Sequence, residues 1–442
     1  MFENIIDQSA AVQLRDDILS ARQAPSMLFF GPSGCGKGST ALELARSLSC
    51  EHGASWKCGC SSCERHRYLL HNDLLILGPR PFQAEIAASR ASFLRDTSSI
   101  PAKTLFIRSL RKLLSRFSFI VMEDDPKLGK ISPNLQSLEE GLNELDFADT
   151  TEESLIEKIT ASLVKDALKL ESEGMSDLIP ANHIRRASYW CRLSPAGKRK
   201  IFIIENARQM KDEARNSLLK LLEEPPETVS IVLTSQRREA IMPTILSRLR
   251  PYRFLKRGLE SEKDVIRRVF RDSPDEKLFT QSGASLISAY LDSFVTANTE
   301  NLQPLAAYFL ASLARIALAD AGKNGLYEIP PIINSIGECY APAANTSEFE
   351  NTLKSSVVIK IILTKSGNFE NDSFSRFLKI LLDLTTELAR KNHNPGYIKY
   401  LDIFKKYCAE AQTAVEVLNQ NSALALEALF YKLHTALAGE RL

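Results

Sequence analysis

The sequence predicts an α/β fold built on a parallel sheet with flanking helices, followed by an all-helical C-terminal part. A short apolar run, Ser26–Phe30, leads through a glycine-rich loop into an amphipathic helical segment, which is the order of a βα unit. Two further apolar runs, Ile201–Ile204 and Val229–Thr234, have the length of buried parallel strands. From about residue 256 onward the helical spacing of apolar residues dominates, so we expect helices there.

Composition and charge limit the possible functions. The 442 residues suggest about three domains at roughly 150 residues each. A formal charge of +2 gives no large basic field, so any DNA contact is expected to be local or shared with partners. The N-terminal residues lack a basic start followed by an apolar run, and no stretch has about 20 uninterrupted apolar residues. We therefore expect no signal peptide, no membrane span and a cytoplasmic location.

The loop after the first strand has the spacing of a phosphate-binding loop. Gly31, Gly36 and Lys37 occupy the G-x-x-x-x-G-K positions, but Gly38 stands where a Ser or Thr hydroxyl normally binds magnesium. The alternative, a plain glycine turn, fits less well with a strand before the loop and a helix after it. Ser39 could supply a hydroxyl only if the register of the loop shifted. The predicted nucleotide-binding residues are Gly31, Gly34, Gly36, Lys37, Ser39, Glu205 and Thr234.

The end of the second predicted strand also departs from the usual pattern. In P-loop ATPases this strand ends in an Asp that holds magnesium, often followed by a Glu that orients water. Here the two residues are Glu205 and Asn206, and an amide cannot accept a proton from water as a carboxylate does. We therefore expect a degenerate magnesium site that binds ATP or ADP weakly, if at all. The apolar run 117–125 also ends in acids, but we interpret it as an ordinary strand or helix end.

Four of the eight cysteines cluster between residues 50 and 63, at Cys50, Cys58, Cys60 and Cys63. Four thiolates in a short polar segment are typical of a structural zinc site with no open coordination position. The spacing C-x7-C-x-C-x2-C is not the commonest one, and His52 or His66 could replace one thiolate. Unliganded surface thiols are the alternative.

These motifs, in this order, resemble the bacterial DNA polymerase III clamp-loader subunits of the AAA+ superfamily, and most of all the delta-prime type. The matching stretches are FENIIDQ, LFFGPSGCGKGSTALELARSLSC, the four-cysteine segment, HNDLLILGP, IPANHIRRAS, SLLKLLEEPPE and ILSRLRPYRF. They lie within residues 1–80 and 179–255. The motor subunit of that family has Ser or Thr in place of Gly38 and Asp-Glu at positions 205 and 206, so three catalytic positions are altered together.

The resemblance implies a subunit that does not hydrolyse ATP itself. It implies that Arg248, which follows Ser247 in a changed Ser-Arg-Cys motif, acts in trans as an arginine finger at a neighbour's ATP site. The implied partners are the gamma/tau and delta subunits in a hetero-pentamer, with the sliding clamp and primed DNA reached through the complex. The alternative is a catalytically active AAA+ ATPase of the motor, gamma/tau, type.

The resemblance also implies a division into three domains. These are an AAA+ core of residues 1–255 with a zinc module at 50–66, a helical lid at 256–300 and a helical collar at 301–442. Residues 80–178 are longer than the usual connection, and we interpret them as a family-atypical helical insertion. Within it, Leu155, Ile159, Leu163, Ala167 and Leu170 predict an amphipathic helix. The basic segment 103–116 predicts a solvated helix face or, less often, a DNA contact, and the acidic segment 123–154 is expected to be rich in loops.

Overall fold

The computed structural model describes residues 1–149, 151–273, 285–294, 302–324, 331–344, 352–366, 369, 373–392, 396–416 and 420–437. The chain divides into two compact units, Met1–Val295 and Thr296–Leu442. Of the predicted lid, residues 274–284 and 295–300 lie outside the described part. The predicted boundaries at residues 255 and 300 therefore remain predictions.

The first unit is built on a parallel sheet, as the sequence predicted, and this sheet has five strands. Its strand order is β2-β3-β4-β1-β5, so that β1, β3 and β4 each have neighbours on both sides. Alternate residues of β1 face opposite sides: Met27 and Phe29 join one apolar cluster and Leu28 joins the other. The strands are β1 Ser26–Phe30, β2 Leu74–Leu77, β3 Lys200–Ile204, β4 Val229–Ser235 and β5 Arg250–Arg253.

Helices cover this sheet. The chain leaves β1 through the glycine loop into α2, as predicted for a βα unit. Single turns of 3-10 helix lie at Ser115–Phe117, Ala207–Gln209 and Arg238–Ala240. The α-helices are α1 Ser9–Leu19, α2 Lys37–Ser49, α3 Ser61–Arg67, α4 Gln83–Arg95, α5 Ile100–Leu114, α6 Phe119–Met122, α7 Leu128–Phe147, α8 Glu153–Gly174, α9 Ala181–Arg192, α10 Asp212–Glu223, α11 Pro243–Leu246, α12 Leu259–Phe270 and α13 Leu286–Ser293.

Residues 80–178 are helical, and the predicted amphipathic helix is α8. Its residues Ile159, Leu163, Ala167 and Leu170 are buried, and Leu155 packs against the same core. The expectation that segment 123–154 is rich in loops is wrong, because most of it forms α7, which packs against α8. Its acidic residues lie on the exposed face. The buried apolar side chains recur at helical spacing: Ile131, Leu138, Leu142 and Leu145.

The second unit is helical in all its described residues, apart from short turns. The segments 373–392 and 422–437, expected to be helical, are helices in the structure. Phe309 lies in its core, with its ring centroid 5.8 Å from Phe377 and 5.2 Å from Phe430. The helices are α14 Leu302–Asn324, α15 Pro331–Ala344, α16 Ser355–Lys365, α17 Ser373–Asn392, α18 Gly396–Glu416 and α19 Ser422–Leu437.

Among the described residues, one stretch is long and apolar enough to cross a membrane by length and composition alone. It is Leu302–Asp320 of α14, and 72% of its window is buried within the protein. Core helices of soluble proteins pass the same test, so this single stretch is weak evidence for a membrane span.

Candidate functional site

The predicted nucleotide-binding residues meet at the carboxyl edge of the sheet. The phosphate loop follows β1, and Glu205 and Asn206 follow β3. Thr234, near the end of β4, is level with Phe29 of β1 in the strand register. The backbone N–H of Asn206 donates to the Thr234 hydroxyl at 3.2 Å. Ligands of open α/β sheets bind at this edge, outside the carboxyl ends of the strands.

The phosphate loop has a conformation that requires glycine at two positions. Gly31 has φ +151°, and a Cβ there would lie 2.2 Å from the carbonyl oxygen of Phe254. Gly36 has φ +94° and precedes the first residue of α2, where a Cβ would lie 2.7 Å from Nη2 of Arg257. Arg257 is buried and donates to the carbonyl oxygens of Gly34 and Ile6, both at 2.9 Å. The loop is therefore held in place by the segment that follows β5.

Lys37 is held by the loop itself. Its ammonium group donates to the carbonyl oxygens of Gly31 at 2.7 Å and Pro32 at 2.6 Å, and it lies 3.5 Å from the Cys35 sulfur. Burial lowers the pKa of Lys37, although nearby Cys35 and Glu205 act in the opposite direction. Ser39, the candidate substitute for the missing hydroxyl, is exposed in the first turn of α2.

Glu205 fills the space next to Gly38. A Cβ at position 38 would lie 2.7 Å from Oε1 of Glu205, closer than real Cβ contacts come. The other carboxylate oxygen, Oε2, accepts from Nη2 of Arg116 at 2.5 Å and lies 3.3 Å from Nε of Arg80. Burial alone would raise the pKa of Glu205, but Arg116 and Arg80 outweigh it and lower that pKa. Glu205 is therefore an ionised carboxylate with its counter-ions inside the protein.

The same cluster of ion pairs includes a second carboxylate, Glu85. Arg80 also pairs with Glu85 at 2.5 Å, and Lys112 pairs with the other oxygen of Glu85. The pKa of Glu85 is lowered because these two cations outweigh the effect of burial. The side chains of Arg116 and Lys112 are only 4% and 17% exposed. Both belong to the basic segment 103–116. The sequence predicted a solvated helix face or a DNA contact there, but these two side chains pair with carboxylates inside the protein.

Asn206 lies where an active ATPase has its water-orienting carboxylate. Its backbone is left-handed, with φ +49°. Its side-chain amide donates to the carbonyl oxygen of Pro79 at 2.8 Å. The amide is therefore engaged in tying the end of β3 to the chain after β2.

Arg248 and Ser247 lie between α11 and β5. The Arg248 guanidinium pairs with Glu223 of α10 at 2.6 Å and donates to the carbonyl oxygen of Thr244 at 2.6 Å. The Ser247 hydroxyl donates to the same carbonyl at 3.0 Å. The side chains of Arg248 and Glu223 are 32% and 47% exposed, so this ion pair is at the surface.

The neighbouring basic residues differ from Arg248. Arg250 pairs at 2.7 Å with Asp17, whose side chain is 6% exposed, and the Tyr252 hydroxyl donates to the same carboxylate at 2.8 Å. Arg250 is thus part of the contact between β5 and α1. Arg253 is exposed.

The four predicted zinc ligands come together. The sulfurs of Cys50, Cys58, Cys60 and Cys63 all lie within 4.8 Å of one another, and all four are free thiols. Two of the separations are 3.6 Å (Cys50 to Cys58) and 4.0 Å (Cys50 to Cys60). Tetrahedral zinc with Zn–S bonds of about 2.3 Å requires sulfurs about 3.8 Å apart. The arrangement therefore fits a four-thiolate metal site.

Neither histidine alternative is needed for this cluster. His52 contributes only its backbone N–H, 3.3 Å from the Cys50 sulfur. His66 is buried and stacks on His71, with ring centroids 4.1 Å apart. Among the described residues, the group around the cysteines contains no histidine.

A buried arginine connects the cysteine cluster to α2. Arg46 pairs with Glu43 at 2.6 Å, and both side chains are at most 3% exposed. Nη1 of Arg46 donates to the Cys63 sulfur at 3.1 Å. Burial would raise the pKa of Cys60, but hydrogen bonds from the backbone of Glu51 and Cys63 lower it to about 6. Such donors favour the thiolate form that metal ions bind, although burial outweighs the Arg46 donor at Cys63 and raises the pKa of that thiol.

The sequence analysis missed the arginines that organise both sites. Arg80, Arg116 and Arg257 hold the phosphate-loop region, and Arg46 holds the cysteine cluster. The sequence signal at this site was a small Gly38 with a long Glu205, whose sizes compensate each other, and it does not identify Arg116.

The chain matches the family model described as "DNA polymerase III, delta subunit" over residues 6–128 and 142–257. These ranges include most of segment 80–178, so its description as an insertion atypical of the family remains a prediction. The DNA polymerase III subunit delta' of Pseudomonas aeruginosa is 29% identical over 135 residues. That match spans 30% of this chain and 41%, less than half, of the relative's length.

One solved structure is a DNA polymerase III gamma subunit-related protein from Thermotoga maritima. It is 16% identical to this chain and has a TM-score of 0.28, over 59% of this chain and 80% of that one. At this TM-score the likeness adds nothing to the argument. The family match, by contrast, covers the phosphate loop, the cysteine cluster, the ends of β3 and β4, and Arg248. The chain belongs to the DNA polymerase III delta subunit family of clamp-loader subunits.

Proposed function

We propose that this chain is a non-hydrolysing, delta-prime-type subunit of the DNA polymerase III clamp loader. It supports ATP-driven loading of the sliding clamp onto primed DNA and lends an arginine to the ATP site of a neighbouring subunit. The observation that carries the proposal is the pair of residues at the phosphate loop, Gly38 and Asn206. Gly38 lacks the magnesium-binding hydroxyl, and the side-chain amide of Asn206 donates a hydrogen bond to the carbonyl oxygen of Pro79.

Hydrolysis needs groups that this site lacks. Phosphoryl transfer to water depends on a positioned metal ion and on a group that orients the attacking water. The first hydroxyl after Lys37, that of Ser39, is exposed on α2, and Lys37 is hydrogen-bonded to carbonyl oxygens of its own loop. The phosphate loop thus serves as a structural element that fixes β1 against α2.

Arg248 has the properties expected of a group that acts on another subunit. Its side chain is partly exposed, and its ion pair with Glu223 is at the surface. Exposed ion pairs contribute about 0–1 kcal/mol, so exchanging this partner for a phosphate costs little. Arginine remains charged and presents a rigid fork of donors to phosphate oxygens. Such a finger is typically worth about 10³- to 10⁵-fold in rate at its own site.

The test is Arg248→Ala in a reconstituted clamp loader, with assembly checked by gel filtration. We expect normal assembly, but reduced DNA-stimulated ATP hydrolysis and clamp loading. The loss is partial, because the other ATP sites keep their own arginines. Arg253→Ala is the matched control, since this side chain is exposed in the same basic stretch. Arg250→Ala is unsuitable because it breaks the pair with Asp17. If the Arg248 and Arg253 variants both load clamps like the parent, the chain lends no arginine.

The alternative, a motor ATPase of the gamma/tau type, is supported by Lys37 and the glycine spacing of the loop. Steady-state hydrolysis by the purified chain separates the two proposals. A delta-prime-type subunit turns over no ATP above background. Turnover near that of ordinary ATPases, abolished by Lys37→Ala, establishes the motor alternative instead.

We further propose that the four-cysteine cluster holds one structural zinc ion. The supporting observations are the sulfur separations and the Arg46 donor to Cys63. With four protein ligands the metal has no open position, so its part is to stabilise the segment between α2 and α3.

We assign the C-terminal helical parts of the chain, from residue 256 onward, to assembly of the clamp loader. Residues 256–300 are proposed as the lid and residues 301–442 as the collar that contacts the other subunits, gamma/tau and delta. The described helices of the second unit surround an aromatic core and contain no glycine loop or metal-binding cluster among their described residues. Removal of residues 301–442 is expected to abolish assembly, which gel filtration with the partner subunits measures.

A further inference from the structure

We propose that the guanidinium of Arg116 replaces the divalent cation at the phosphate loop, so that the protein's own side chains provide no magnesium site there. This inference rests on the proposed function and deepens it. It attributes the loss of the magnesium site to Arg116, which belongs neither to the phosphate loop nor to the residues that follow β3. Restoring the family's catalytic residues at positions 38 and 206 is then insufficient to restore a metal site.

The first step of the argument is that one oxygen of Glu205 is paired with arginines and the other packs against the phosphate loop. Oε1 lies against Gly38, where a Cβ would be only 2.7 Å away. Oε2 accepts from Nη2 of Arg116 at 2.5 Å and lies 3.3 Å from Nε of Arg80. Magnesium binds oxygen ligands at about 2.0–2.1 Å in a near-octahedral arrangement. A cation at that distance from Oε2 would have to displace Arg116.

The second step is that Arg116 is fixed independently of Glu205. It lies in the 3-10 turn Ser115–Phe117, and its Nη1 donates to the carbonyl oxygen of Leu77 at 3.2 Å. Its guanidinium carbon lies 5.4 Å from the centroid of the Phe82 ring. The side chain is 4% exposed, so it has no solvated position close by. Gly78, at φ +107°, lets the chain after β2 pass close to the backbone of Glu205.

The third step is the balance of charge. Arg80, Lys112 and Arg116 are cations, whereas Glu85 and Glu205 are the carboxylates with which they pair. The cluster is already one positive charge in excess. Magnesium would add two more positive charges, and such repulsion is strong in a mostly buried site. One further carboxylate, Glu171, lies near Arg80, but burial raises its pKa and so disfavours its charged form.

The same reasoning predicts what removal of Arg116 does. Arg116→Met keeps an apolar side chain against Phe82 but leaves Oε2 of Glu205 with one cation fewer. The carboxylate then regains an acceptor position at the carboxyl edge of the sheet. We expect this variant to acquire a site for a divalent cation with oxygen ligands.

The experiment measures binding of Mn²⁺, a paramagnetic ion that favours oxygen ligands, by electron paramagnetic resonance on the full chain. It is run without nucleotide, because ADP itself binds Mn²⁺ through its phosphates. We expect no specific site in the parent. Arg116→Met should gain one Mn²⁺ per chain, bound about tenfold or more tightly than any ion in the parent. The double variant with Glu205→Gln should lose this site.

Arg186→Met is the matched control. It also removes an arginine from two carboxylates, Glu123 and Asp124, but at the surface. We expect no specific Mn²⁺ site in this variant. A gain equal to that of Arg116→Met would mean that any released carboxylate binds the ion, and would overturn the proposal.

Two further outcomes overturn it. One is a specific Mn²⁺ site in the parent that Glu205→Gln removes, a measurement that needs no Arg116 variant and so stands even if Arg116→Met fails to fold. The other is a folded Arg116→Met chain, judged by circular dichroism, that gains no site. Failure here is distinct from failure of the proposed function: a parent that binds Mn²⁺ but hydrolyses no ATP refutes only this inference. An Arg248→Ala complex that loads clamps normally refutes only the arginine finger.

Discussion

Replacing Gly38 by alanine puts a methyl group into space that Glu205 occupies, and we expect it to destabilise the Met1–Val295 unit. The new Cβ would lie 2.7 Å from Oε1 of Glu205, whereas ordinary contacts are 3.4–4 Å. The carboxylate cannot retreat freely, because Arg116 and Arg80 hold its other oxygen. Alanine at position 38 therefore tests directly whether Glu205 fills the place of the missing hydroxyl.

The magnitude follows from two opposing contributions. Overpacking of this kind typically costs about 1–3 kcal/mol. Alanine is better than glycine within a helix by about 0.5–1 kcal/mol, which offsets part of the cost. The matched control is Gly129→Ala, at the second residue of α7 as Gly38 is at the second residue of α2, with nothing within 4 Å of the new Cβ. The difference between the two variants should therefore be about 1–3 kcal/mol.

The assay is urea unfolding followed by tryptophan fluorescence. Both tryptophans of the chain, Trp56 and Trp190, belong to the Met1–Val295 unit, so the signal reports this unit. Free energies of unfolding come from linear extrapolation to water.

A second background makes the test specific for Glu205. Glu205→Asp shortens the side chain by one C–C bond of about 1.5 Å and draws the carboxylate away from position 38. Gly38→Ala should cost less in this background, with a coupling free energy of about 0.5 kcal/mol or more. The reasoning is refuted if Gly38→Ala is as stable as Gly129→Ala, or if its cost is the same in both backgrounds.

Three further predictions concern other parts of the protein. Elemental analysis should find one zinc per chain, lost in Cys60→Ser but kept in Cys339→Ser, an exposed cysteine outside the cluster; zinc retained by the first variant contradicts the four-thiolate site. The lowered pKa of Glu85 means that its contribution to stability is complete above pH about 4.3 and is lost as the pH falls toward the folded-state pKa. Urea midpoints at pH 5 and pH 3 should therefore differ more in the parent than in Glu85→Gln, and equal differences would exclude this role. Leu163→Ala, at a side chain 1% exposed in α8, should cost about 2–5 kcal/mol, and Leu155→Ala, at the partly buried end of the helix, clearly less.

Local patterns in the sequence predicted several elements and the cysteine site. The strand, glycine loop and helix at residues 26–49 are adjacent in the chain, so their order predicts a βα unit. The four cysteines lie within 14 consecutive residues, from Cys50 to Cys63, so a short segment can bring their sulfurs together. Helical spacing likewise predicted α8. The prediction of loops in the acidic segment 123–154 failed because it was based on overall polarity. The buried positions of α7, which recur every three to four residues, were not recognised.

Only the tertiary structure decided what surrounds Glu205. Arg116 is 89 residues away in the chain, and its contact with Glu205 depends on β2 lying beside β3 and on the turn after α5. The basic segment 103–116 has the composition of a solvated face, yet Lys112 and Arg116 pair with the mostly buried carboxylates of Glu85 and Glu205. Sequence periodicity reports which face of an element is apolar, because that property repeats over one or two turns of the chain. It does not report which distant charge meets which, because that depends on strand order and packing, and at this site such a pairing determines whether a metal ion can bind.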